Sequence, residues 1–523
     1  MLMKRLVGML RRLFARRSAG DDRTFMRRLR EDKRGNALVL TAVAMIPIAG
    51  IVGSGVDISR AYLTKTRLQQ ACDAGVLGGR KVMGAAGLDS TVTAEVRKFV
   101  DYDFPQGTFG SSAFTVVPTA GANSAVDLTL ATSVPTTLMT IFGISTIPIS
   151  VSCTARQDFV NTDVMLVLDT TLSMNCLPAE SATTYCPSEK SGSKIQALRA
   201  AVTSFYNALK PAQDQLAGQG LRLRYGIVPY SLTVNAGNLL RSTNPSWVNT
   251  TSSYRKCVTP SGQTCNGVGP ASSVTHDSSF WSSWAGCIEE RQTVSSIGSS
   301  SGYTPPANAY DLDVDTAPTS SATAWNAYDP DSETAKYNVA GLGYACPKSV
   351  QSLGTMSSVS DMNSYTAGLA AGGYTYHDLG MLWGARLLSP TGLWASNNPS
   401  SYNSFPVNRH LIFMTDGALE PDLSAYSAYG VEKFDKRVTG NGSSTSQYNS
   451  HLQRFRMMCN AVKGMNVNIW VIAFGTSSGT GLSTDLVNCA NTPAQAFKAD
   501  DQAALVDKFT QIGQAIGALR LSQ

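Results

Sequence analysis

The stretch Asp163–Met174 reads DVMLVLDTTLSM. Its apolar run has the length of a strand, and the absence of alternation predicts burial on both faces. Asp169 ends the run abruptly, and Thr171 and Ser173 set hydroxyls at the second and fourth positions after it. Either the chain simply turns here, with Asp, Thr and Ser capping the next helix, or three hard oxygen donors converge on a cation.

Working outward, a 3.6-residue period over 194–210 precedes a second buried run at 223–230. Later come a helix at 376–388, a strand at 410–416, a charged helix at 448–463, a strand at 467–475 and a final helix at 501–519. Buried strands separated by helices predict an α/β fold, a doubly wound, mostly parallel sheet over residues 158–523. Residues 231–355 interrupt it with a polar segment holding Trp247, Trp281, Trp284, Trp325 and four cysteines, which predicts an ordered, stapled insertion.

In such a sheet, ligands gather beyond the carboxyl ends of the strands. Two more segments bring oxygen donors there: AGGYTYHDLG (371–380), where Thr375 opens a helix, and FMTDG (413–417), where Asp416 ends a strand. Asp169, Thr171, Ser173, Thr375 and Asp416 offer two carboxylates and three hydroxyls. With water, that set suits a small hard divalent cation, Mg2+ before Mn2+ or Ca2+.

The net charge of +6 is a local matter: residues 1–34 carry twelve Lys/Arg against four Asp/Glu, and the remainder is slightly acidic. A nucleic-acid-binding body is not implied. The basic tail adjoins Asn36–Val56, a run of 21 residues without an ionised side chain. As a helix this run extends about 30 Å, the thickness of a bilayer's hydrocarbon. Pro47 is tolerated in such a span, and Gly50, Gly53, Ser54 and Gly55 offer a helix-contact face. A cleaved signal peptide is the competing reading, but the basic region is too long and lacks a clear cleavage site.

The expected layout is a cytoplasmic tail (1–34), one transmembrane helix (35–56), a helical stalk with a small α+β unit (57–157), and the α/β body, all beyond residue 57 lying across the membrane in the periplasm. Short β-rich runs are expected between about 92 and 155. Ten cysteines in an exported body favour disulfides, and no CxxC pair with histidine partners suggests zinc. Cys176 with Cys186 and Cys459 with Cys489 are the nearest pairs, although spacing leaves connectivity open.

The five donors resemble the metal-ion-dependent adhesion site of von Willebrand factor A domains, whose pattern is D-x-S-x-S, a threonine in a glycine-led loop, and the aspartate of T-D-G. Thr171 stands where that pattern has a serine, keeping the hydroxyl and adding a methyl group. The resemblance implies that a partner's carboxylate completes the metal's coordination and that the protein binds without catalysing. Residues 33–79, KRGNALVLTAVAMIPIAGIVGSGVDISRAYLTKTRLQQACDAGVLGG, resemble the N-terminal region of TadG-like proteins of the Flp/Tad tight-adherence pilus system. TTLMTIFGISTIPISVSCTA and WAGCIEER resemble the same family. The likeness implies an inner-membrane component of pilus assembly in a Gram-negative bacterium, with pilus or secretion-apparatus proteins as partners. Pilin-like relatives are cut after a glycine with glutamate five residues on; Leu40 holds that place after Gly35 here, which argues against processing.

Blander readings compete with several of these. DLDVDTAPTSSA (311–322) alternates acids like a calcium loop, but Thr316 replaces the needed glycine and Ala322 the bidentate glutamate, leaving solvated surface acid as the better reading. His377, two residues beyond Thr375, could sit near the metal, but helix-start packing or polar capping is the better reading. The insertion tryptophans are read as core before glycan- or peptide-binding surface. A hydrolase lacks a G-x-S-x-G elbow, and nucleotide binding lacks a P-loop or G-x-G-x-x-G. The alternatives to an adhesion role are a structural envelope scaffold with a vestigial metal site and, less favoured, an envelope hydrolase.

Overall fold

The computed structural model describes residues 36–523 apart from 84–87, 122–124, 158–159, 181–183, 262–263, 266, 329–345, 476–481, 518–520 and 523. The basic tail therefore lies outside the described residues. The chain forms two units, one reaching to Gln157 and taking back Leu521 and Ser522, the other spanning Asp158–Arg520.

The first unit is organised by one 47-residue helix, α1 (Asn36–Val82). Its N-terminal part leaves Leu40, Val43, Met45, Ile48, Ile51, Val52 and Val56 exposed, and past Asp57 it turns Leu68, Ala71, Cys72 and Val76 into a core. The N-terminal part is long and apolar enough to cross a membrane. Next comes a helix, α2 (Ser90–Asp103), where short β-rich runs were expected to begin; Asp89 caps it by accepting from the Val92 N–H. Val92, Val96 and Val100 recur every four residues and bury one stripe. They sit on glycines: a Cβ at Gly75 or Gly79 would come within 2.6 Å of Val100 or 2.3 Å of Val96. Strands β1 (Val126–Pro135) and β2 (Thr146–Gln157) then form an antiparallel pair whose inward side chains join the same core. Of the expected strand AFTVVPTA, only Thr119–Ala120 pairs, at the edge of β1. A disulfide joins Cys72 of α1 to Cys153 of β2.

The second unit is built on β3 (Asn161–Asp169), β4 (Leu223–Tyr230), β5 (Gln351–Gly354), β6 (Phe405–Thr415), β7 (Val467–Phe474) and β8 (Ala496–Ala499). Their spatial order is β5-β4-β3-β6-β7-β8. Neighbours from β4 to β8 pair in parallel and the edge strand β5 pairs antiparallel. All nine residues of β3 are buried. Val164, Leu166 and Leu168 face the helices α3 (Lys194–Gly218) and α6 (Gln502–Gly517), through side chains such as Phe205 and Phe509. Met165 and Val167 face α4 (His377–Leu388) and α5 (Ser444–Gly464), with Trp383 and Phe455 among the packing residues. Helices on both faces of a mostly parallel sheet make this the doubly wound α/β fold that the sequence predicts. Strand order reverses at β3, so the crevice between the carboxyl ends of β3 and β6 is where a ligand is expected.

The insertion is ordered where it is described, and three of its four tryptophans are core, with Trp281 partly buried against them. Trp247, Trp284 and Trp325 are buried, in one cluster with α4, α5 and one face of the sheet. Glu290 is fully buried and accepts from the indoles of Trp383 and Trp325 and from the Arg386 guanidinium, at 2.6–3.1 Å. Asp311 corrects the surface-acid reading: it is buried, ion-paired to Arg454 at 3.2 Å and hydrogen-bonded by the Tyr429 hydroxyl. Its neighbour Asp315 accepts from Ser389 and Thr391. Disulfides join Cys176 to Cys186, Cys287 to Cys346 and Cys459 to Cys489. The side chains of Cys257 and Cys265 lie outside the described ones.

Candidate metal centre

Asp169 and Asp416 meet because β3 and β6 are neighbours in register, Leu168 opposite Met414. After Asp169 the chain folds back in a 3-10 turn, Leu172–Asn175. The Asp169 Oδ1 accepts the Thr171 N–H at 2.9 Å, and the Thr171 and Ser173 hydroxyls lie 3.1 Å apart. Ser173 in turn donates to Asp416 Oδ1 at 2.8 Å. Four of the five expected donors thus form one chain of contacts.

Thr375 arrives on the loop before α4. That loop is laced to the first: the Gly372 N–H donates to the Thr170 carbonyl at 2.8 Å and the Leu172 N–H to the Gly373 carbonyl at 3.0 Å. Gly373 has φ +79°, a left-handed conformation that favours glycine, and a Cβ there would press on Leu232 at 3.0 Å. Thr375 is buried, and its carbonyl accepts the Glu420 N–H at 3.0 Å. Glu420 itself is exposed.

Further residues stand around this set, of which the sequence reading had considered only His377. Thr415 donates to Asp169 Oδ2 at 2.8 Å, and His377 Nε2 lies 2.9 Å from the same hydroxyl. When Asp169 is ionised, the hydroxyl's one proton goes to the carboxylate and the imidazole proton then lies on Nε2. His377 thus stands behind Thr415 rather than serving as a helix cap. Burial pushes its pKa down to about 4, so it is neutral at physiological pH. Tyr230 approaches the same carboxylate oxygen at 3.4 Å. Lys194, the first residue of α3, pairs with Asp416 Oδ2 at 3.0 Å, both side chains fully buried. Thr415 was visible inside FMTDG as the residue before the acid. No local pattern around Lys194 marks it as a partner of a carboxylate 222 positions away.

Burial, and secondarily the Asp416 charge, pushes the Asp169 carboxyl up to about 7, against hydrogen bonds from Thr171 and Thr415. Two buried acids with one lysine leave excess negative potential, which a bound cation relieves. The all-oxygen donor set fits a hard divalent cation. The other cluster of ligand type among the described residues, Cys176, Glu180 and Cys186, does not: its sulfurs are joined in a disulfide, and Glu180 accepts from Lys190 and the Leu177 N–H.

Residues 35–86 match a family model described as Flp pilus-assembly TadE/G-like. No curated protein matches the chain. Among solved structures it is similar to the pilus adhesin SpaC of Lactobacillus rhamnosus GG, with 10% identity and TM-score 0.33 over 77% of this chain and 34% of that one. It is similar to the von Willebrand domain of the type V pili tip protein Mfa5 of Porphyromonas gingivalis, with 10% identity and TM-score 0.30 over 68% and 95%. A third is proximal thread matrix protein 1 of the mussel byssus with a zinc-occupied MIDAS motif, with 11% identity and TM-score 0.27 over 70% and 49%. The chain spans about a third of the length of SpaC.

The segment 35–86 is thus TadE/G-like.

Proposed function

We propose that this protein is a membrane-anchored, periplasm-facing component of Flp/Tad pilus assembly or adherence that binds an acidic residue of a partner protein through a divalent cation, Mg2+ by preference. The observation that carries the reading is the run of contacts from Asp169 through Thr171 and Ser173 to Asp416 at the reversal point of the sheet. Those four residues and Thr375 hold the metal. When bound, the cation supplies an open coordination position to a partner's carboxylate. Thr415, held by His377, orients Asp169, and Lys194 offsets part of the charge that Asp416 brings into a buried site. The role proposed for this set is binding. The basic residues before the apolar helix support a cytoplasmic N-terminus, a periplasmic body and a helix in the inner membrane.

The test is capture of solubilised pilus or secretion-apparatus proteins by the full chain in mild detergent, with magnesium or with chelator, beside Asp169→Ala and Asp416→Ala. The expected result is metal-dependent capture that both variants lose while staying folded. Capture indifferent to chelator and to both substitutions sinks the reading. The Lys194–Asp416 ion pair favours a second reading, an envelope scaffold whose metal site is vestigial. Tight calorimetric magnesium binding, lost in Asp169→Ala, counts against it.

A further inference from the structure

Between Asp127 and Arg156 the chain carries no ionisable residue apart from the disulfide-bonded Cys153. Within that stretch, the connection from β1 to β2 folds over Met139–Phe142 into a 3-10 turn. It leaves four large apolar side chains out of the unit's core: Leu138 is 39% exposed, Ile141 76%, Phe142 51% and Ile144 43%. A soluble turn seldom concentrates so much apolar surface in seven residues.

The turn's position relative to α1 gives that surface a meaning. The Asp57 carboxylate accepts the N–H groups of Thr137, Leu138 and Met139 at 2.8–2.9 Å. From there the turn runs along α1 toward its N-terminus. A Cβ on Gly50 would lie 2.6 Å from the Phe142 ring, and one on Gly53 would lie 2.6 Å from the Leu138 Cβ. Gly50 is seven residues before Asp57, about 10 Å along the helix. The exposed side chains of the turn are therefore level with Ile48, Ile51, Val52 and Val56, which are themselves exposed. The two apolar surfaces are continuous.

The turn's polar groups are also satisfied from within. Besides the three N–H groups on Asp57, those of Thr136, Ile141, Gly143 and Ile144 donate to the carbonyls of Ser145, Leu138, Thr140 and Met139. The Thr136 and Thr140 hydroxyls pair with each other and with carbonyls of the turn. A backbone that asks little of water is what an apolar phase requires. At the junction the Asp57 carboxylate is buried beneath the turn, with the Arg60 guanidinium, held by the Phe109 carbonyl, on the side away from the apolar segment.

We infer that the turn Thr136–Ile144 enters the bilayer beside α1, with Leu138, Ile141, Phe142 and Ile144 in the acyl region of the distal leaflet. The first unit is then held to the membrane surface by a second, non-spanning contact, and the depth of α1 is fixed by the turn. The depth implied, within about 10 Å of the interface, is that of monotopic apolar elements. This inference rests on the reading that residues 35–56 span a bilayer.

The test places Ile141→Trp, and separately Ile144→Trp in case the first disturbs the turn, in the full chain reconstituted into phosphatidylcholine vesicles. Tyr102→Trp, 83% exposed on α2, serves as the aqueous control, and the native tryptophan signal is subtracted. The expected result is blue-shifted added emission that brominated acyl chains quench and aqueous iodide does not, with the reverse for Tyr102→Trp. Added emission open to iodide in a chain that resists alkaline carbonate overturns the turn's insertion and leaves the span standing. Emission shielded from both quenchers means a protein neighbour covers the turn, which also overturns it. A chain stripped from the vesicles by carbonate overturns both the span and the insertion.

Discussion

Replacing Asp169 by Asn removes one buried charge at nearly constant shape, and its consequence can be worked out in advance. In the metal-free protein the Asp169 carboxyl is raised from 3.8 to about 7. Between those values the native state holds a proton that the unfolded chain has released, so stability falls as pH rises, by about 1.4 kcal/mol per unit and about 4 kcal/mol in all. His377 acts in the opposite sense: with its pKa lowered from 6.5 to about 4, the unfolded chain binds a proton that the native state refuses, and stability rises with pH across that window. From pH 4 to 6.5 the two contributions oppose each other, and the wild-type profile is flattened. Asp169→Asn leaves the histidine unopposed. The assay is urea unfolding in mild detergent with chelator, followed by tryptophan emission. All seven tryptophans fall between residues 247 and 470, so the signal reports the second unit. The expected difference, variant minus wild type, grows by about 1.4 kcal/mol per pH unit up to neutrality and then levels off. A difference profile that stays flat over that range refutes the raised Asp169 pKa and the buried, charge-strained site behind it.

Lys194→Met leaves the buried Asp416 carboxylate uncompensated, and the metal-free protein should lose about 3–5 kcal/mol. Saturating magnesium should return much of this in the same urea assay, and a loss that magnesium does not touch would mean the lysine acts by packing alone. Glu290→Gln disturbs the group that Arg386, Trp383 and Trp325 converge on; it should cost up to about 3–5 kcal/mol with calorimetric magnesium affinity unchanged, since the insertion's polar core is separate from the donor set.

The fold was readable where burial on two faces writes itself as an unbroken apolar run. Val164–Leu168 is such a run, and the order of strands and helices around it emerges from the spacing. The edge strand Gln351–Gly354 is short and polar enough to pass for loop, and the sequence reading missed it. Helix Ser90–Asp103 was hidden by its own composition: Val92, Thr93, Val96 and Val100 favour strands, and the glycines on α1 that accept its valine stripe are remote in sequence. Asp311 was misjudged because its surroundings come from α5 and Tyr429, more than a hundred residues downstream. Asp169, Thr171, Ser173, Thr375 and Asp416 were nominated by chemistry at strand ends. His377 drew notice from its place two residues beyond Thr375, whereas Lys194 bears on the set only through a contact that exists once the sheet has closed.

The bond between Cys72 and Cys153 has a mechanical side. A pull on the chain beyond Gln157 enters the first unit at the end of β2, four residues from Cys153, and the sulfur bridge hands it straight to α1. The chain between the two cysteines, a sequence separation of 81 and roughly 280 Å of contour if drawn out, is bypassed. Load therefore travels along the axis of α1 toward its N-terminus, and β1, α2 and the apolar turn lie outside the line of tension.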